Sequence, residues 1–316
     1  MKVAVISNSC EHHAKNMVEV CKKHIPKRVA ELTHVPYDDT FDTGWELEDI
    51  GKYDVLFNVG YFVPVGIYLE TVRKAEPDVK IVNCWVGSDI LQNLGHFHTG
   101  MTQHVKAAKN YANICDSPMF VRELRTFFKI KAGEIKSCPK KLLEPTPLPE
   151  QAMFSIYMPQ HRAPFYNFEM MVEVASLNAH IAFTMLACDN PPPPVRTSLK
   201  NTVWTPWLNS DEMEKVIHNS TGIIRAPLHD GISIFLLEAM SAGRWPITNI
   251  PNIPHTEYCP LPDQDLSTGM MLDIAYAVNK ISQYDTINYE GAEWVRDNFS
   301  PQHMADSIRD VLAEVR

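Results

Sequence analysis

The feature that most narrows the possible folds is an alternation of short β-rich apolar runs with segments of helical spacing. KVAVIS (2–7) leads into HAKNMVEVCKKH, whose apolar residues fall at 14, 17, 18, 20 and 21, a one-sided helical pattern. Further runs at VAELTHV (29–35), DVLFNVG (54–60), KIVNCWVG (80–87) and YANICDS (111–117) alternate with helical candidates near 64–75, 100–110 and 119–129. Strands interleaved with helices of this length predict an α/β fold built on a parallel sheet covered on both faces.

The pattern then breaks. CPKKLLEPTPLPE (138–150) carries four prolines, which disfavour helix and central strand alike, and marks a domain boundary. The alternation resumes with FSIYM (154–158), a helix from about 166 to 177, HIAFTMLA (180–187), TVWTPWL (202–208), a helix opened by Ser210-Asp211, GIIRA (222–226) and a helix from about 231 to 242. Two similar α/β units in tandem are expected: residues 1–145, residues 146–300, and a closing helix over 301–316. With 316 residues, each unit is long enough for a sizeable core. In such sheets ligands bind beyond the carboxyl ends of the strands, so a site is expected there, in a cleft between the two units.

Charge and cysteine usage exclude several classes. The net charge is −9, and residues 151–316 hold 10 Lys/Arg against 19 Asp/Glu, so the excess acidity lies in the second half. The one basic concentration is VRELRTFFKIKAGEIKSCPKK (121–141), with seven Lys/Arg against two Glu. It reads as a solvated face, or as a transient contact with a phosphate-rich or anionic surface. Seven scattered cysteines with no C-x-x-C pair look like reduced thiols, and the histidine clusters lack partners at ligand spacing, so no metal site is expected. No apolar run approaches the length of a transmembrane segment and the start turns polar too early for a secretory signal, which makes a cytoplasmic location the expectation.

The chemistry concentrates in HDGISIFLLEAMSAG (229–243). Helix starts leave amides unpaired and carry partial positive charge, so Gly231, Ile232 and Ser233 can cradle a phosphate. Asp230 suits sugar hydroxyls better than a phosphate, and Glu238, two turns on, can accept from a diol; alternatively Asp230 is an N-cap and Glu238 an exposed helix residue.

The longer run IIRAPLHDGISIFLLEAMSAGRWPITN (223–249) resembles the glycosyltransferases with an E-x7-E motif, the retaining nucleotide-sugar enzymes of the GT-B fold, two Rossmann-like domains. NTVWTPWLNSDEMEKVIHNSTGIIRAP and VRDNFSPQHMADSIRDVL are similar to the flanking elements of that class, while the resemblance over 1–150 is topological only. It implies that Glu238 binds the nucleotide ribose, that Asp230 binds the transferred sugar, and that the amides of 231–233 hold the diphosphate. It also places His229 and Trp207 on the donor side. The first acid is Asp where the class has Glu, a shorter reach toward the sugar. Of the Lys/Arg pair that neutralises the leaving diphosphate, Arg162 is the candidate for one, with Arg225 as a replacement for the other or as a strand-end surface arginine.

Two departures lie in the first unit: NSCEHH (8–13) replaces a Gly-Gly turn, and NCWVGSD (83–89) lacks the histidine that often ends the fourth strand. Trp85, Ser88 and Asp89 are expected at that edge, with Ser9 and Ser88 on the acceptor side. Asp89 is expected either to orient or deprotonate an acceptor hydroxyl or to cap the following helix. The implied reaction is metal-independent transfer from a UDP- or GDP-sugar, needing no other cofactor, to a glycan or glycolipid. Modified DNA carrying hydroxymethylated pyrimidines is the alternative acceptor, as for a viral enzyme in the host cytoplasm; a sugar-nucleotide epimerase and a non-catalytic nucleotide-sugar binder are the other readings.

Overall fold

The computed structural model describes residues 1–7, 10–36, 50–98, 103–139, 141–159, 164–192, 195, 198–261 and 268–316. They form two compact units: residues 1–140 together with 299–316, and residues 141–298. The last segment of the chain therefore completes the first unit.

In the first unit, β1 (Lys2–Ile6), α1 (Glu11–His24), β2 (Glu31–Val35), β3 (Val55–Val59), α2 (Val63–Ala75), β4 (Lys80–Trp85), α3 (Ser88–His98), α4 (Gln103–Ala108), β5 (Ala112–Cys115), α5 (Pro118–Glu123) and β6 (Ala132–Glu134) follow in order. The sheet runs β2-β1-β3-β4-β5-β6 with every pairing parallel. All five residues of β3 are buried, as a strand covered on both faces requires. Three asparagines lie side by side in register on β3, β4 and β5, where Asn58 Nδ2 donates to Asn83 Oδ1 (2.7 Å) and Asn83 Nδ2 to Asn113 Oδ1 (3.4 Å). A one-residue slip would strand these amides in an apolar core, so the ladder pins the register. The helix α11 (Pro301–Glu314), capped by Ser300 Oγ on the His303 amide, packs against α1 and brings Met304 Sδ to 3.5 Å from Cys138 Sγ.

The second unit holds β7 (Met153–Tyr157), α6 (Phe168–Leu177), β8 (Ala182–Leu186), β9 (Thr202–Trp204), α7 (Ser210–His218), β10 (Gly222–Arg225), α8 (Ile234–Ser241), β11 (Trp245–Thr248), β12 (Glu257–Tyr258), α9 (Thr268–Ile281) and α10 (Tyr289–Asn298). Its sheet order is β12-β11-β10-β7-β8-β9, again all parallel. Proline positions shape the ends: TVWTPWL yields a strand of only three residues, because Pro206 has no amide for the ladder. α7 begins with a capping box, Asn209 Oδ1 accepting from the Asp211 and Glu212 amides (both 3.0 Å) while Glu212 accepts from the Asn209 amide, so the cap is Asn209, one residue before the expected start.

The proline-rich stretch is extended and tied to the second unit. The fully buried Arg244 reaches it, Nη1 donating to Pro147 O (3.2 Å) and Ser220 O (3.1 Å), and Nη2 to Thr146 O (2.6 Å) and the Thr146 hydroxyl. Arg296 Nη2 donates to Leu143 O (3.0 Å), and the Leu143 amide donates to Ser241 Oγ (2.9 Å). Among the described residues, no helix is long and apolar enough to cross a membrane.

Candidate functional site

The order β10-β7-β8 fixes where a ligand can enter the second unit. The chain passes from β7 outward to β8 and β9, then returns to the opposite side of β7 as β10. Connections leaving two neighbouring strands in opposite directions open a crevice at their carboxyl ends. β7 ends in Tyr157 and β10 in Arg225.

Arg225 is buried, and its Nε and Nη2 both donate to Asp230 Oδ2 (2.9 and 2.5 Å). Its guanidinium lies over the rings of Tyr157 (5.0 Å) and Tyr166 (4.8 Å). Burial works against its charge, and Asp230 with the tyrosines more than offsets that, so it is held above the ordinary arginine range. The same Asp230 accepts from the Gly231 amide through Oδ1 (3.1 Å). The loop carrying it is fixed from below, since Asn167 Nδ2 donates to Ala226 O (2.8 Å), Asn249 Nδ2 to Pro227 O (2.6 Å), and the Leu228 amide to Phe165 O (2.9 Å).

Sequence reading gave Arg225 and Asp230 opposite tasks and an exposed strand end as the alternative for the arginine. In the structure the two form one hydrogen-bonded ion pair, with Arg225 buried rather than at the surface and Asp230 half-buried. Removing either partner alone would leave the other charged and desolvated.

α8 starts at Ile234, three residues after the expected 231, with Ser233 as N-cap and no side-chain cap bond. Residues 231–233 therefore lead into the helix with their amides at its positive end. Glu238 follows in the second turn, half-buried, with no hydrogen-bond partner for its carboxylate among the described residues. Burial pushes this carboxyl up to about 7, and the charge of Glu214 on α7 adds to the rise. A carboxylate in that condition is strongly improved by hydroxyl donors, which a diol supplies. Trp207 is 67% exposed and meets Tyr157 edge to face at 6.1 Å, and Tyr157 also packs on Phe235 of α8 at 5.8 Å. Asp230, Arg225, Gly231, Trp207 and the start of α8 are thus gathered around the Tyr157 ring and the ends of β7 and β10. His229 is half-buried beside Asp230. Arg162 lies outside the described residues.

In the first unit, Asp89 is completely buried in the first turn of α3. Its oxygens accept from the amides of Tyr61 (2.7 Å), Val86 (3.1 and 3.2 Å) and Ile90 (2.8 Å). Burial pushes its carboxyl up to about 6 in spite of those amides. Asp89 thus lies inside the first turn, one residue past the helix start at Ser88, and its carboxylate joins the loop after β3 to the loop after β4 through these amides. Trp85, expected at the strand edge, is fully buried, its Nε1 donating to Asn113 Oδ1 (3.0 Å). Ser88 is half-buried next to it, and Ser9 lies outside the described residues.

Sequence reading passed over Arg244, Tyr157 and Tyr166. Arg244 had a signal, a lone charge within the apolar AMSAGRWPIT, where a buried arginine must find carbonyl partners. The two tyrosines had none, because they meet only through the fold.

No protein-family model matches the chain, and no curated protein matches it. Solved structures do. Sucrose-phosphate synthase from Thermosynechococcus elongatus superposes with a TM-score of 0.73 at 12% identity, covering 99% of this chain and 98% of that one. A glycosyltransferase from Rickettsia africae gives 0.64 at 14%, with 99% and 98% coverage. A TarM variant from S. aureus, in complex with fondaparinux, alpha-GlcNAc-glycerol and UDP, gives 0.63 at 11%; the match covers 82% of this chain but only 55% of TarM. The fold is GT-B, the two-domain α/β architecture of glycosyltransferases, with its two parallel six-stranded sheets.

Proposed function

We propose that this chain is a glycosyltransferase that moves a sugar from a nucleoside-diphosphate donor to an acceptor hydroxyl with retention at the anomeric carbon. The observation that carries the reading is Glu238: a half-buried carboxylate with no hydrogen-bond partner among the described residues, on the helix whose N-terminal end follows the Asp230–Gly231 pair. Glu238 accepts from the ribose diol, the amides of 231–233 receive the diphosphate, and Asp230, held by Arg225, accepts from hydroxyls of the sugar. UDP is the first nucleotide to test, because TarM was captured with UDP and the pneumococcal O-GlcNAc transferase GtfA with UDP and GlcNAc.

In the reaction, the bond from the anomeric carbon to the β-phosphate oxygen breaks through an oxocarbenium-like state. The acceptor oxygen bonds the same face of that carbon, and its proton passes to the leaving phosphate oxygen. Arg225 acts as a positioning residue for Asp230, so catalysis is mostly orientation and charge stabilisation. Asp89 serves the first unit as a loop clamp rather than as the acceptor's base. No metal is needed in this scheme, and the acceptor is a glycan or a glycolipid.

The test is donor hydrolysis with a panel of UDP- and GDP-sugars, with NMR of the first-formed anomer and added EDTA. The expected result is turnover of one donor to the retained anomer, unchanged by EDTA. An inverted anomer, an epimerised nucleotide sugar, or strict dependence on added Mg²⁺ would overturn the scheme.

A further inference from the structure

The basic stretch of the first unit folds into a device that its sequence did not reveal. After α5, the chain makes a π-helical turn over Leu124–Phe128, ends it with Lys129 in the left-handed region (φ 56°), and enters β6, the last strand of its sheet. Leu124, Phe128 and Ile130 are buried, and the Ile130 amide closes the turn on Leu124 O (3.0 Å). Arg125, Phe127 and Lys129 lie between these anchors and are exposed, as are the flanking Arg122 and Lys131. Phe127 is 47% exposed where its neighbour Phe128 is buried.

The cations are not consumed locally. Arg122, Arg125 and Lys131 have no ion-pair or hydrogen-bond partner among the described residues, and Lys129 Nζ donates only to Thr126 O (2.9 Å). The turn and its flanks thus expose one phenyl ring and four available cations within ten residues, on a chain whose net charge is −9.

We infer that this turn is a docking patch for an anionic lipid surface, with Phe127 entering the interface and the four cations meeting headgroup phosphates and carboxylates. The combination decides between polyanions. Against duplex phosphates Phe127 would gain nothing, and a single strand calls for a run of exposed aromatic platforms where the turn offers one ring. A bilayer rewards both features, the charges by attraction and the ring by burial at the headgroup boundary. Docking of this kind stands independently of the transferase reading, since it needs no donor and no turnover.

The experiment is co-sedimentation of the full chain with phosphatidylcholine vesicles and with vesicles containing phosphatidylserine, at low and physiological ionic strength, beside a duplex-DNA binding assay. The parent is expected to bind only the anionic vesicles, and less at higher salt. Each cation contributes on the order of 5-fold, so the combined variant Arg122→Gln, Arg125→Gln, Lys129→Asn, Lys131→Gln loses roughly several hundred-fold; Asn at 129 keeps the left-handed backbone. Phe127→Ala alone is expected to weaken binding while leaving its salt dependence in place. Circular dichroism melts of the variants, all at exposed positions, are expected to match the parent. Failure of the parent to bind anionic vesicles at low salt, undiminished binding by the combined variant, or salt-dependent DNA binding without vesicle binding would each overturn the inference.

Discussion

Replacing Glu238 with Gln should make the protein more stable and less able to hold a nucleotide, and both effects should depend on pH. The carboxyl is pushed from an ordinary 4.5 up to about 7 by burial, with Glu214 adding to it. Below about pH 4.5 it is protonated in folded and unfolded chains alike and costs nothing. As pH rises toward 7, the unfolded chain releases its proton more readily than the folded one, so stability falls through this window and the full cost is present above about 7. At 1.36 kcal/mol per pH unit the cost is about 3 kcal/mol, an upper bound for a carboxylate still partly open to screening water.

Glu238→Gln removes that cost. Thermal melts of parent and variant should coincide near pH 4.5 and separate by on the order of 5–10 °C at pH 8, the variant melting higher. Nucleotide affinity should move the other way, because a charged hydrogen bond worth about 1.5–3 kcal/mol is lost, weakening UDP or GDP by roughly 10- to 150-fold at pH 8. As the parent is acidified below 7, its affinity should fall toward that of the variant. Calorimetric titration at several pH values reads this directly. A melting difference independent of pH, or equal nucleotide affinity at pH 8 in a folded variant, would refute both the desolvated state of Glu238 and its ribose assignment.

The ion pair predicts asymmetry: Asp230→Ala leaves Arg225 charged with a side chain 8% exposed, costing about 3–5 kcal/mol by urea unfolding, while Asp230→Ala with Arg225→Met should recover most of it. Asp89→Ala strips the acceptor from the amides of Tyr61, Val86 and Ile90, so hydrogen exchange should accelerate at those amides while nucleotide titration stays unchanged. Gly222→Ala places a Cβ 2.6 Å from the Trp245 carbonyl oxygen and 2.7 Å from the Phe154 ring, at the first rung of the ladders that β10 shares with β11 and β7. A loss of about 1–3 kcal/mol on unfolding, with reduced solubility, is the expected reading.

Fold class was legible because buried parallel strands write themselves as apolar runs: β1, β3, β4 and β10 all fall inside runs read from composition and spacing alone. Ends were less legible. The helix expected at 231 begins at Ile234, because periodicity locates the apolar face of a helix but not the residue at which the backbone turns. The expected helix over 119–129 changes to π-helical spacing at Leu124, a change that an apolar pattern of this length does not distinguish from α-helical spacing.

For the site, residue types were readable and partners were not. Asp89 suited capping somewhat better than proton transfer, and neither reading contains the Tyr61 amide that it holds, 28 positions away in sequence. Arg225 and Asp230 are only five apart, yet their pairing depends on where β10 ends and how the Asn167 and Asn249 side chains fix the loop between them. Such long-range backbone bonds leave no periodic trace in a sequence.

The division of the chain also sets an order of events during synthesis. Residues 141–298 are contiguous, so that unit can complete its core, including the Arg244 clasp on Thr146 and Pro147, as soon as α10 has emerged from the ribosome. The first unit, although translated earlier, lacks the helix that covers α1 until residues 299–316 arrive. Until then one side of α1 and the thiol of Cys138 wait for their cover, which makes the half-built first unit the natural client of a chaperone.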